Sequence, residues 1–288
     1  MTDLTADIDG FSLTAKLFEP AEITDKPLLF CLPGGGLMRD YFDLAPGYSF
    51  ANRMTDRGYS VLIMDHPGIR TNILHPDHPY FTPREAAGYL AQALAQWSHG
   101  SPVIGIGHSM GGMMIMLIQG NHAPFCGLGL FGSSAGGLDW GLSEVEKPYI
   151  NQELKFKRDL EKLSLAKFGG PYTRAGDGPS GESITFGGET AELTKRMRDI
   201  SCEMNSASAM MSMMRGSFQT EVQAIDAPIF FAFGDRDIGI PPKKAPKDFI
   251  NALSTELIVL EKTGHNHFAF SSIETLCERL DHWASNLD

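Results

Sequence analysis

The chain has 288 residues, 42% of them apolar and 20% charged, enough apolar material for a sizeable core in one large domain or in a core with an insertion. Its net charge of -11 repels nucleic acid and anionic membrane surfaces on average, which excludes both as the main partner. Acids stand where a secretory signal would carry lysines, no run of about 18 apolar residues spans a membrane, and the scattered Cys31, Cys126, Cys202 and Cys277 read as reduced, buried thiols of a cytoplasmic protein.

In chain order, Leu4 to Ile8 and Phe11 to Phe18 predict a hairpin, because Asp9-Gly10 suits a type I′ turn. Pro27 introduces the solid apolar run 28–32, a strand buried on both faces, which ends in Pro33-Gly34-Gly35-Gly36. Three glycines there leave backbone amides uncovered as donors to an anion. A helix is expected around Tyr48 to Arg57, then a buried strand over 60–64 that leads into Asp65-His66-Pro67-Gly68. Thr71 to Phe81 reads as an exposed loop, and the proline in its His75-Pro76-Asp77-His78 argues against a metal site. Thr82-Pro83-Arg84-Glu85 is a capping box that opens a helix with Ala87, Leu90, Leu94 and Trp97 on one face.

Pro102 and Val103 to Ile106 then read as a buried strand and Met113 to Ile118 as an apolar helix, with Gly107-His108-Ser109-Met110-Gly111 at the corner between them. Glycines two positions either side of Ser109 remove the Cβ atoms that would collide in so tight a turn. The hydroxyl is put on display, with the Met110 N–H beside it at the helix start. A dinucleotide fingerprint is set aside, since methionine stands where its third glycine would fall. Residues 127–131 form the next strand, so strands alternate with helices in the pattern of a mostly parallel sheet covered on both faces.

The alternation stops near Gly136. Helical patterns at Gln152 to Lys167 and Thr190 to Ile200 flank a Gly- and Pro-rich loop from Gly169 to Gly188, and no strand is expected from Leu138 to Phe218. The reading is a core domain over 1–137 and 219–288, with 138–218 inserted as a helical lid whose middle loop is mobile. The run Met210-Met211-Ser212-Met213-Met214 either fills the core or lines an adaptable acyl pocket. Alternation resumes with a strand over 229–233 ending in Gly234-Asp235-Arg236-Asp237. A helix around Lys244 to Leu253 and a strand over 256–260 follow, the latter running into Gly264-His265-Asn266-His267. A last helix carries Ile273, Leu276, Leu280 and Trp283.

Ser109, an acid at Asp235 or Asp237, and an imidazole at His265 or His267 thus stand after strands. A serine attacks a carbonyl when a base takes its proton, and an imidazole does so when a carboxylate holds its tautomer. The chain resembles the α/β-hydrolase superfamily, in which serine, acid and histidine follow in this order. The resemblance implies an α/β-hydrolase fold, Ser109 as nucleophile, Asp237 as acid and His265 as base, with His267 a neighbour and Asp139 a minor alternative acid. It places the oxyanion between the Met110 amide and that of Gly35, with Gly36 as a further candidate. Two departures stand out: Pro33-Gly34 replaces the usual His-Gly, and Gly68-Ile69-Arg70-Thr71-Asn72 replaces G-x-G-x-S.

The expectation is a serine hydrolase that cleaves a carboxylic ester of a small to medium apolar molecule through an acyl-enzyme, with no metal or organic cofactor. Thioesters, lactones, carbon–carbon bonds and acyl transfer are alternatives on the same residues, as is a hydrolase-like protein that only binds a ligand. Tyr41, Phe42, Met210 and Met214 are candidates to line an apolar pocket, and Arg39 or Arg70 to meet a carboxylate.

Overall fold

The computed structural model describes residues 1–72, 80–174 and 187–287. The His75-Pro76-Asp77-His78 segment and the middle of the Gly169 to Gly188 loop lie outside the described residues. Eight strands form one sheet: β1 (Thr2–Ile8), β2 (Phe11–Phe18), β3 (Leu28–Leu32), β4 (Val61–Met64), β5 (Val103–His108), β6 (Gly127–Phe131), β7 (Ile229–Gly234) and β8 (Thr255–Leu260). Their order across the sheet is β1-β2-β4-β3-β5-β6-β7-β8. The β1–β2 pair and the β2–β4 pair are antiparallel, and every other neighbour is parallel. At the hairpin, Asp9 and Gly10 both have positive φ, 49° and 85°, as a type I′ turn requires.

Alternate side chains of the central strands feed two separate cores. Phe30, Leu32, Leu62, Met64, Phe231 and Phe233 join one, whereas Leu29, Cys31, Val61, Ile63, Phe230 and Ala232 join the other. A parallel sheet needs both faces covered. The first face receives α2 (Pro83–Ser98), α3 (Met110–His122) and α7 (Gln219–Ala224), the second α1 (Phe50–Thr55) and α8 (Ile273–Ala284). The expected capping box is present on α2: Glu85 accepts from the Thr82 N–H at 2.6 Å while its own N–H donates to the Thr82 hydroxyl at 3.3 Å. Among the described residues, no helix is long and apolar enough to cross a membrane.

Some local expectations are corrected. Tyr48 and Ser49 pair with Asp43–Ala45 in a short antiparallel ladder, so α1 starts only at Phe50, with Ser49 as its cap. In place of a helix at Lys244 to Leu253 there is a 3₁₀ segment at Pro242–Asp248, because Pro246 removes the N–H that an α-helix would use. Cys31 and Cys277 are buried, but Cys126 is exposed and Cys202 half-buried. Between β6 and β7 stand α4 (Glu153–Phe168), α5 (Ala191–Asp199) and α6 (Ser206–Met213). That segment also holds two three-residue strands, Tyr172–Arg174 and Glu203–Asn205, paired antiparallel. Strands so short and so distant in sequence leave no periodic signal.

Arg84 of α2 fastens this segment between β6 and β7 to α2 and α7. Its guanidinium bonds Glu221 of α7 through Nε and Nη2, reaches Glu153 at the start of α4 at 2.9 Å, and donates to the Ser217 carbonyl at 3.3 Å. Burial pushes the Glu221 carboxyl upward, but the Arg84 charge outweighs it and the net shift is downward. Replacing Arg84 by Met leaves that carboxylate buried and unpaired. The expected loss is about 3 kcal/mol in urea unfolding, recovered in part by adding Glu221→Gln.

Candidate active site

Ser109 is the single residue between β5 and α3, at φ 51° and ψ −119°. A side chain held there stores roughly 1–3 kcal/mol of strain, which the surroundings must over-determine. They do so by close packing. A Cβ on Gly111 would lie 2.2 Å from the Leu32 carbonyl oxygen and 2.5 Å from that of Pro33, and one on Gly107 would lie 2.5 Å from the Gly111 backbone. Backbone cannot step aside as a flexible side chain can, so both positions demand glycine. The turn is further tied by the Ser109 N–H, which donates to the Phe131 carbonyl at 2.8 Å, and by the Ser109 carbonyl, which accepts from Gly112 at 2.9 Å. The Met110 N–H opens α3 and therefore has no acceptor within the helix.

The glycine strip after β3 lies against this corner. A Cβ on Gly34 would meet His108 Nδ1 at 2.7 Å and the Ser109 Cβ at 3.3 Å, and one on Gly35 would meet the Met204 sulfur at 2.7 Å and the Met110 sulfur at 3.1 Å. Gly35 and Met110 line one cavity with Ser109. Gly36 is not on that wall; its carbonyl accepts from the Cys202 N–H at 2.8 Å, and Leu37 takes the place beside Gly35.

On the other side, the buried carboxylate of Asp237 stands between two imidazoles. Its Oδ1 is 2.7 Å from His265 Nδ1 and its Oδ2 is 3.2 Å from His267 Nε2. The Ile238 N–H donates to Oδ1 at 2.8 Å and the Gly234 N–H to Oδ2 at 3.4 Å. Burial works to raise the Asp237 pKa, but the two histidines outweigh it and hold the carboxyl far below the usual range. Asp235, the other candidate acid, is turned outward and accepts from the Lys262 and Thr263 N–H groups, each at 2.9 Å. It shapes the loop that delivers His265. Asp139 is also removed from the imidazoles, paired with Arg215 at 3.3 Å.

His265 and Ser109 face the same two cavities, although no hydrogen bond joins their side chains among the described residues. His108, the residue before the serine, donates from Nε2 to the His265 carbonyl at 2.8 Å and so ties the Ser109 corner to the imidazole loop. Its ring packs on Tyr41 at 4.7 Å and on His265 at 4.8 Å.

The larger cavity, of about 330 Å³, is walled by Leu37, Met110, Trp140, Phe168, Met204 and Met213. The smaller, of about 40 Å³, lies beyond Ser109 against Ser133, Ser134 and Ser212. Tyr41, Met210 and Met214 do not line the larger cavity, contrary to expectation. Tyr41 is fully buried in an aromatic cluster with Phe42 and Phe268, where its hydroxyl accepts from the Phe268 N–H at 3.4 Å. Met210 lies with Met211 and Met214 on the core side of α6 and its end, while Ala209, Ser212 and Met213 turn to the cavity. Arg39 and Arg70 are engaged with Asp65, and Arg70 also with Asp40 at 2.5 Å. Among the described residues, the charged side chain on the larger wall is instead Arg174, which sequence patterning did not mark.

Burial, then the neighbouring His265 and His267, push the His108 pKa well below 6.5, and burial lowers that of His66. In the unfolded chain both rings take up protons below about pH 6.5 while the folded rings refuse them, so stability falls as pH drops through that range. Each ring contributes a limiting slope of about 1.4 kcal/mol per pH unit. Urea midpoints measured between pH 7.5 and 5 should therefore decline, and His108→Gln, which keeps a donor for the His265 carbonyl, should flatten the decline.

The fold is shared with solved enzymes at low sequence identity. An esterase from Thermogutta terrifontis superposes with a TM-score of 0.68 at 15% identity, covering 100% of this chain and 99% of its own. A monoacylglycerol lipase from Paleococcus ferrophilus gives 0.68 at 15% over 96% and 99%. An esterase from Exiguobacterium antarcticum gives 0.65 at 17% over 97% and 98%. No curated protein sequence matches. The sequence itself fits the model of the alpha/beta hydrolase family over residues 29–275, from β3 into α8, and the chain belongs to that family.

Proposed function

We propose that the protein is a serine hydrolase of carboxylic esters with an apolar acyl group, acting through an acyl-enzyme on Ser109. The observation that carries this reading is the 2.7 Å bond from Asp237 to His265 on the cavity that also holds the strained Ser109. The carboxylate keeps the His265 proton on Nδ1, which leaves Nε2 free to take the Ser109 proton. Bonds between nucleophile and base commonly tighten only around a substrate, and closure of 138–218 as a lid would supply that step.

Ser109 Oγ adds to the ester carbonyl, and the oxyanion is held by the amides of Met110 and Gly35. His265 passes the proton to the departing alcohol. Water then adds to the acyl-enzyme, giving its proton to His265, and the acid leaves as Ser109 is reprotonated. Cavity sizes support the assignment of parts. The methionine- and tryptophan-lined space takes the apolar acyl chain, whereas the serine-lined space is about right for one water and gives it polar partners.

Hydrolysis of p-nitrophenyl esters tests the reading. Turnover should be lost in Ser109→Ala and fall roughly 10⁴-fold in Asp237→Asn, and a fluorophosphonate should label the native chain but not the serine variant. From acetate to hexanoate, kcat/KM should rise roughly fourfold per methylene, the value of about 0.8 kcal/mol per buried CH₂. A native chain with neither burst, labelling nor turnover would mark a protein that only binds.

A further inference from the structure

Asp237 offers two oxygens, and the proposed chemistry uses one. The other, Oδ2, lies 3.2 Å from Nε2 of His267, whose side chain is fully buried. A carboxylate only accepts, so the proton on the His267 ring sits on Nε2. Nδ1 of the same ring is then a bare acceptor, and it is buried with no hydrogen-bond partner. The buried His66 and His108 leave Nδ1 unpartnered in the same way but give Nε2 to backbone carbonyls, so what sets His267 apart is that its Nε2 meets a carboxylate.

The surroundings leave Oδ2 with little else. Its other donor, the Gly234 N–H, stands at 3.4 Å, longer than the 2.8 Å bond that Ile238 makes to Oδ1. Several titratable groups face this site. His265 comes from the loop after β8, His267 from the 3₁₀ turn His267–Ala269, His108 from the end of β5, and Tyr41 from the 3₁₀ turn Arg39–Phe42. His108 meets the His267 ring edge-on at 5.8 Å. Burial drives the Tyr41 hydroxyl up and His108 down, so both stay uncharged near neutral pH. On the flanking segment, Asp235 is exposed and bonded to the Lys262 and Thr263 amides. Among the described residues, Asp237 is thus the single anion between two imidazoles.

We propose that His267 is a positioning residue of the proposed reaction. Its Nε2–H holds Oδ2, which keeps Oδ1 aimed at His265 and divides the carboxylate charge between two rings. The inference rests on the hydrolase reading for its kinetic consequences, but the coupling itself is a property of the fold. Without this donor, Asp237 is a stronger acceptor for His265, the protonated His265 is favoured, and the base is lost at higher pH.

The test uses the full chain with His267→Phe, which keeps a ring and removes the donor, and His267→Gln, which can restore one N–H. In His267→Phe the acid limb of the kcat/KM profile should move up by about one pH unit, with kcat reduced and KM unchanged. His267→Gln should bring the limb back toward that of the native chain. Superimposable limbs for native and Phe forms would overturn the proposal, as would equal loss of kcat in both variants with no movement of either limb. His265 titration followed by NMR of labelled imidazoles gives the same readout without turnover. If the native chain hydrolyses nothing, the functional reading fails while this titration still decides the coupling. Should His267→Phe not fold, nitrogen shifts of the native chain decide, since an Nδ1–H tautomer at His267 would overturn the assignment.

Discussion

The contact on which the site depends is between backbones: the first turn of α3 presses against the end of β3, where Gly111 faces the Leu32 and Pro33 carbonyl oxygens. Any Cβ at Gly111 would enter that space, and any at Gly107 would strike the Gly111 backbone. This approach sets Ser109 at φ 51° and brings the Gly34-Gly35 strip beside it. The strain at one residue is held by an apolar helix that is buried along most of its length, from Met110 to Gln119. Packing energy spread over many residues offsets a local cost at one.

Electrostatics around Asp237 follow from the same arrangement. The ends of β5, β7 and β8 converge, so His108, Asp237, His265 and His267 share one buried volume. In low dielectric, a carboxylate is tolerated only when its charge is met, and here two imidazoles and two backbone N–H groups meet it. His108 completes the link by holding the His265 backbone from the residue next to the serine. The aromatic cluster of Tyr41, Phe42 and Phe268 beneath these rings excludes water from that side.

Much of this was legible in the residues because each feature has a local cause. Continuous apolar runs mark strands buried on both faces, Asp9-Gly10 marks a type I′ turn, Thr82 and Glu85 mark a helix start, and paired glycines around a serine mark a corner too tight for side chains. The chain order of Ser109, Asp237 and His265 is likewise a linear property. Reading Asp237 rather than Asp235 as the acid rests on the resemblance; in the structure the Asp235 carboxylate meets the Lys262 and Thr263 amides, and that of Asp237 meets the imidazoles.

Other features depend on partners far away in sequence. Whether a methionine of α6 faces core or cavity is set by how the helix docks, which separates Met213 from Met210 and Met214. The inward turn of Tyr41, the Arg84 clasp on Glu153 and Glu221, the short strands at Tyr172–Arg174 and Glu203–Asn205, and the second imidazole on Asp237 all join segments that nothing in the linear pattern connects. The sequence by itself determined the order of elements, the buried faces and the residues capable of the chemistry, because these follow from local sterics and periodicity. Only the tertiary structure decided which of those residues meet, what walls the cavity and which oxygen of Asp237 each histidine takes, because distance and direction between side chains exist only once the sheet has brought its strand ends together.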